Sequence, residues 1–130
     1  MNKCLVTGGT GLLGNGMKEA LRKRLGGLDM TFVWLSSKDC NLLDLDAVLA
    51  LFDSEKPSHC VHLAARVGGV FANKNDQIGF LRENISMNDN VVQACHAHKI
   101  QRAVFCLSTC VFPAEISLPF DETSLHSGPP

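Results

Sequence analysis

The chain contains no tyrosine and a single tryptophan among its 130 residues. Chemistry that needs a phenol as proton donor is therefore beyond these residues by themselves. Twelve basic residues stand against 13 acidic ones, for a formal net charge of −1. That leaves no positive field for a nucleic-acid backbone. No apolar run approaches the ~20 residues needed to cross a bilayer, so no membrane contact is expected. The six cysteines, Cys4, Cys40, Cys60, Cys95, Cys106 and Cys110, include no C-x-x-C pair, and His59 and His62 have no partner ligands at zinc spacing. No metal site is expected. Cys4, Cys60 and Cys106 lie in strand-like apolar runs and Cys95 in a helical pattern, which points to reduced, mostly buried thiols rather than a disulfide framework. A strand pattern starts within a few residues of Met1, leaving no room for a secretory leader and pointing to the cytoplasm. The length fits one domain with a single core.

What is present begins with a glycine-rich stretch, Val6-Thr7-Gly8-Gly9-Thr10-Gly11-Leu12-Leu13-Gly14. It lies between a strand pattern at Lys3–Val6 and an amphipathic helical pattern carrying Met17, Ala20, Leu21 and Leu25 on one side, closed by Gly26-Gly27. Glycines there permit a tight turn and let an anion approach the helix N-terminus, where N–H groups lack partners and the dipole is positive. A nucleotide cofactor is the expectation.

Further apolar runs at Thr31–Leu35, Asn41–Leu43, His59–Leu63 and Ala103–Leu107 read as strands, with helical patterns at Leu45–Ser54, after an Asp44 N-cap, and at Phe80–His98. Runs apolar on both faces suit a covered parallel sheet. The fold class is α/β, a Rossmann-like doubly wound parallel sheet of about five strands in order 3-2-1-4-5. The second strand runs into Ser36-Ser37-Lys38 where a carboxylate would hold an NAD ribose. Hydroxyls and an ammonium favour a 2′-phosphate, hence NADP, although Asp39 follows at once and a solvated polar loop is the alternative. The helix at Phe80–His98 carries Leu81, Ile85, Val92 and Cys95 on one face and Phe80, Met87, Val91 and Ala94 on the other. One face suits the sheet, and the other suits either a partner or further burial in a monomer. Arg66 to Asp76 reads as a long loop.

Three landmarks occur in order: Thr7-Gly8-x-x-Gly11-x-x-Gly14, His62-Leu63-Ala64-Ala65, and Leu107-Ser108-Thr109-Cys110-Val111-Phe112-Pro113. They resemble the short-chain dehydrogenase/reductase superfamily. With Val67-Gly68-Gly69-Val70 and Pro119-Phe120-Asp121-Glu122-Thr123 before Gly128-Pro129-Pro130, the whole chain resembles the GDP-L-fucose synthase family. That resemblance implies NADPH-dependent conversion of GDP-4-keto-6-deoxy-D-mannose to GDP-L-fucose, by 3,5-epimerisation and 4-reduction.

It also implies roles. Ser108 and Cys110 would be catalytic, the serine on the C4 carbonyl and the thiol as an epimerisation base. Thr7, Gly8, Gly9, Thr10, Gly11, Leu12, Leu13, Gly14, Ser36, Ser37, Lys38, Asn41, Leu42, Leu63, Ala64, Ala65 and Leu107 would bind the cofactor. Val67, Gly68 and Gly69 would meet the GDP-sugar, Asn84 would support the site, and the Phe80–His98 helix would pair two full-length copies as a homodimer. The family's Tyr-x-x-x-Lys motif is missing, since there is no tyrosine. Residues 1–130 are accordingly expected to be an NADP-binding domain incomplete at its C-terminal end, without the substrate domain and inactive alone. A non-catalytic NADP-binding regulatory module and another sugar-nucleotide epimerase or dehydratase are the alternatives.

Overall fold

The computed structural model describes residues 2–24, 29–116, 118–119 and 121–129. Strand β1 (Asn2–Thr7) leads through the glycine loop into helix α1 (Leu12–Arg24), followed by β2 (Met30–Trp34), α2 (Leu45–Glu55), β3 (His59–His62), α3 (Val70–Asn75), α4 (Gln77–Ala97) and β4 (Arg102–Phe105). Single 3-10 turns follow at Thr109–Val111 and Glu122–Ser124. The four strands form one parallel sheet in the order β2-β1-β3-β4. This is the expected Rossmann-like sheet, and the order matches the expected one with its third strand left out.

That third strand is the first correction. Asn41–Leu43 forms a turn rather than a strand: Asn41 accepts from the Leu43 N–H through Oδ1 at 3.2 Å and from the Asp44 N–H through its carbonyl at 3.1 Å. Asn and Asp side chains offer the backbone local partners that compete with a ladder. Asp44 then caps α2, accepting from the Ala47 N–H at 3.2 Å, as its position before the helical pattern implied.

Side chains alternate along each strand. Leu5 and Cys60, paired in register, face α2 and α4 and form the core with Val48, Phe52, Val91, Ala94 and Cys95. Phe52 is fully buried, a contribution of about 1.5–3 kcal/mol. Cys4 and Val6 face the other way, toward the side where the α1 residue Lys18 lies 5.0 Å over the Trp34 ring. Cys95 thus belongs to the sheet-facing side of α4, not with Leu81, Ile85 and Val92, which are exposed. On α1, Met17 and Leu21 are half-buried and Ala20 is exposed; Leu25, Gly26 and Gly27 lie outside the described residues. All six cysteines are free thiols, with Cys4, Cys60 and Cys95 buried, Cys40 half-buried, and Cys106 and Cys110 exposed.

The long loop expected from Arg66 to Asp76 is shorter, because Val70–Asn75 is helical. Asn73 ties it down by donating from Nδ2 to the Gly68 and Gly69 carbonyls at 2.8 and 3.1 Å. Asp76 then starts α4 three residues before the expected point, accepting from the Gly79 N–H at 3.0 Å.

Candidate functional site

The chain leaves β1 toward β2 on one side and returns to β3 on the other, so the sheet order reverses at the carboxyl ends of β1 and β3. Open α/β sheets bind ligands in the crevice at such a point. A cavity of about 620 Å³ lies there. The β1–α1 loop supplies Thr7, Gly8, Thr10, Gly11, Leu12 and Leu13, the end of β2 and the turn after it Leu35 to Ser37 and Cys40 to Leu43, the end of β3 Leu63 to Val67, and α4 Glu83 and Met87.

Glycine is required at two positions of the loop for different reasons. Gly8 has φ +66°, and a Cβ there would lie 2.7 Å from the Ala64 backbone nitrogen, so the loop could not lie against the exit of β3. A Cβ on Gly14 would stand 2.6 Å from the carbonyl carbon and oxygen of Gly9, prising α1 off the loop. The Gly9 N–H donates to the Leu35 carbonyl at 2.7 Å and the Gly11 N–H to the Gly8 carbonyl at 3.0 Å, which fixes the turn. The N–H groups of Leu12 to Gly14 at the start of α1 have no carbonyl four residues earlier within the helix, the kind of end that suits an anion, and they stand beside the cavity.

Beyond β2, the Ser36 hydroxyl donates to Asp39 Oδ2 at 2.6 Å and the Ser36 N–H to the same oxygen at 2.7 Å. The Ser36 hydroxyl also accepts from the Lys38 N–H at 3.2 Å. These bonds hold the Asp39 carboxyl below its ordinary pKa and occupy the Ser36 proton. Ser37 and Lys38, both exposed, remain as donors for an incoming anion.

The wall between strand ends and α4 is tied twice. Asn84 Oδ1 accepts from the Arg66 N–H at 2.8 Å, while its Nδ2 donates to the Arg66 and Phe80 carbonyls at 2.9 Å each. The Arg66 guanidinium lies 4.2 Å over the Phe80 ring and bridges Asp76 at 2.7 Å and Glu83 at 3.0 Å. Hydrogen bonding from that guanidinium, with the Gly79 N–H, holds the Asp76 carboxyl below its ordinary pKa. Arg66 and Val67 also line a second, shallower groove of about 770 Å³ between α3 and α4.

The cavity thus collects Thr7, Gly8, Thr10, Gly11, Leu12, Leu13, Ser36, Ser37, Asn41, Leu42, Leu63, Ala64, Ala65 and Val67 from the expected set. Gly9 and Gly14 are packed in the loop itself, Lys38 and Leu107 are exposed outside the lining, and Gly68 lines the second groove. Ser108 and Cys110 are also outside, on the exposed 3-10 turn after β4, where the Ser108 hydroxyl accepts from the Cys110 N–H at 3.1 Å. Sequence reading missed Leu35, Cys40 and Leu43 at and after the end of β2, and Arg66, Glu83 and Met87, whose positions depend on the packing of α4 against the β3 exit.

The parallel sheet, the glycine turn at its switch point and the adjoining cavity define a nucleotide-binding α/β domain. The chain belongs to the NAD dependent epimerase/dehydratase family, whose model matches residues 4–130. It is 50% identical over 130 residues to a probable GDP-L-fucose synthase of Drosophila melanogaster, covering 100% of this chain and 40% of that protein. It is 44% identical over 126 residues to the GDP-L-fucose synthase of Dictyostelium discoideum, covering 97% of this chain and 39% of that one. Among solved structures, a GDP-L-fucose synthetase from Naegleria fowleri bound to NADP matches with a TM-score of 0.85 and 41% identity, over 99% of this chain and 38% of the other. The chain therefore spans about two fifths of the length of these relatives.

Proposed function

We propose that this chain is the dinucleotide-binding part of an NADPH-dependent 3,5-epimerase-4-reductase that converts GDP-4-keto-6-deoxy-D-mannose to GDP-L-fucose in the cytoplasm. The observation that carries the reading is the glycine-loop cavity at the sheet's switch point, in a chain similar throughout its length to GDP-L-fucose synthases. Its residues fit the cofactor: the Gly8–Gly14 turn leaves room for a pyrophosphate at the start of α1, and Ser37 and Lys38 are free to meet a 2′-phosphate. NADPH, when bound, supplies the hydride for C4.

The remaining chemistry is assigned to the turn after β4. The Ser108 oxygen accepts from the Cys110 N–H, which leaves its own proton to donate to the C4 carbonyl and stabilise charge on that oxygen. Cys110, exposed beside it, takes protons from the carbons flanking the ketone, and an acid in the rest of the full-length protein returns one to the opposite face of each. Val67, which lines both the cavity and the second groove, Gly68, which lines the groove, and Gly69, which precedes α3 and lines neither, are assigned to the sugar nucleotide. Two full-length copies pair through the exposed Leu81, Ile85 and Val92 of α4.

The second reading is a non-catalytic NADP-binding module, which the same cavity would serve. Two measurements separate the readings. Calorimetric titration of the chain should show NADPH binding more tightly than NADH; no binding of either would overturn the cofactor assignment. In a protein of the relatives' full length carrying these 130 residues, Cys110→Ser should abolish solvent-deuterium exchange at C3 and C5 with NADPH affinity near normal. Exchange at the original rate would remove the thiol from this role.

A further inference from the structure

His62, at the end of β3, is 3% exposed and makes a bond from each ring nitrogen. Nδ1 lies 2.7 Å from Thr7 Oγ1 and Nε2 lies 2.9 Å from Asn88 Oδ1. Thr7, 1% exposed, also accepts from the Ala64 N–H at 3.3 Å. One arrangement of protons satisfies all three contacts. The amide oxygen of Asn88 can only accept, so Nε2 carries the proton and donates; Nδ1 then accepts from the Thr7 hydroxyl, whose oxygen accepts from Ala64. The relay runs from the exit of β3 through β1 and His62 to α4, joining Thr7 and Ala64 in the cavity lining to a helix that contributes Glu83 and Met87.

We propose that His62, held neutral with its proton on Nε2, is a positioning residue for the dinucleotide cavity. It sets the strand-end wall against the α4 wall, and protonation of the ring loosens the cofactor. The inference rests on the cofactor reading given above. An imidazolium has to donate from both nitrogens, which would force the buried Thr7 hydroxyl to give up its acceptor. Among the described residues, those in contact with the ring do not offset that charge: Thr7 on β1, Asn88 on α4 and Phe105 on β4, whose ring centre is 5.3 Å away, are all uncharged. Charged side chains on the flanking segments are engaged elsewhere, Arg66 with Glu83 at 3.0 Å and Asp89 with Gln93 at 2.8 Å. Burial accordingly lowers the ring's pKa, against an upward pull from the Asn88 bond.

The test is titration with NADP⁺ at about pH 7.5 and about pH 5.5, on the wild-type chain and on His62→Gln and Asn88→Asp, with circular dichroism at each pH to separate loss of fold from loss of affinity. His62→Gln keeps a polar side chain that does not titrate, and titration of the ligand's own phosphate is common to all three proteins. From the higher to the lower pH, wild-type affinity should fall more than that of His62→Gln, by a factor below about ten because the ring's pKa is lowered. In Asn88→Asp, whose carboxylate stabilises the imidazolium, the loss should begin about one pH unit higher. Equal profiles in wild type and His62→Gln, or an unshifted profile in Asn88→Asp, overturn the proposal while leaving the cofactor reading intact. If His62→Gln does not fold, Asn88→Asp decides alone. Absence of NADP⁺ binding to the wild type at the higher pH removes the cofactor reading and this inference with it.

Discussion

Gly8 combines a left-handed backbone with a backbone neighbour 2.7 Å from any added Cβ. Gly8→Ala should therefore lower unfolding stability by about 1–3 kcal/mol in urea titration, since neither the φ nor the clash can be relieved by moving a flexible side chain. A loss below about 0.5 kcal/mol would mean that the loop shifts freely. Lys38 presents the opposite case, an exposed side chain with no structural partner among the described contacts. A charge-assisted contact to phosphate is worth about 1.5–3 kcal/mol, so Lys38→Ala should weaken NADPH by roughly ten- to a hundredfold and NADH little. Equal loss for both would place Lys38 in the fold and not on the phosphate. Residue identity made the glycines legible, because few other residues tolerate such turns. It could not show that the Ser36 proton is committed to Asp39, since that bond depends on how the turn closes.

At the scale of elements, α2 and α4 are joined at their C-terminal ends by His98, whose Nε2 lies 3.0 Å from Asp53 Oδ1 and whose Nδ1 lies 2.9 Å from the Ala94 carbonyl. Burial works against charge on the ring, yet the Asp53 carboxylate and the Ala94 carbonyl outweigh it, and its pKa is raised above 6.5. The folded state thus binds the proton more tightly than the unfolded chain. The stability this gives is fully present below pH 6.5 and is lost as pH rises through the folded value. Chemical denaturation of wild type and Asp53→Asn should show the largest gap near about pH 6 and a shrinking one toward pH 8, whereas a constant gap would mean that the pair is not proton-linked. The N-terminal cap of α2 is simpler: Asp44→Ala should cost about 1 kcal/mol by loss of the Ala47 N–H bond. Both helices were readable from period and cap. The break at Asp76 and the short α3 were not, because Asn73 and Asp76 act through bonds to backbone groups that only the folded turn brings near.

At the scale of the whole molecule, β4 is, among the described residues, one of the two edges of the sheet, with Val104 54% exposed and Leu81, Ile85 and Val92 open on α4. Natural edges are blunted by charge, proline or cover, and on β4 only Arg102 at its start supplies charge. Sedimentation over a wide concentration range should show the 130-residue chain self-associating, with Val104→Lys reducing the effect if the strand edge is responsible. A monomer at all concentrations would mean that these surfaces are shielded. Lacking tyrosine, the same chain should show no turnover of the keto-sugar nucleotide when NADPH oxidation is followed.

Alternating apolar runs and helical periods determined the parallel α/β class, and the spacing of Thr7, Gly8, Gly11 and Gly14 determined a nucleotide turn after the first strand, because both are local consequences of residue type. The tertiary structure alone decided that Asn41–Leu43 turns instead of pairing, that Arg66, Glu83 and Met87 join the cavity wall, and that His62 sits between Thr7 and Asn88. The turn comes from Asn41 bonds only two and three residues long, which win over a ladder only in the folded context; the other two rest on contacts between segments far apart in the chain, where no pattern within one segment can report which partner the fold will bring to it.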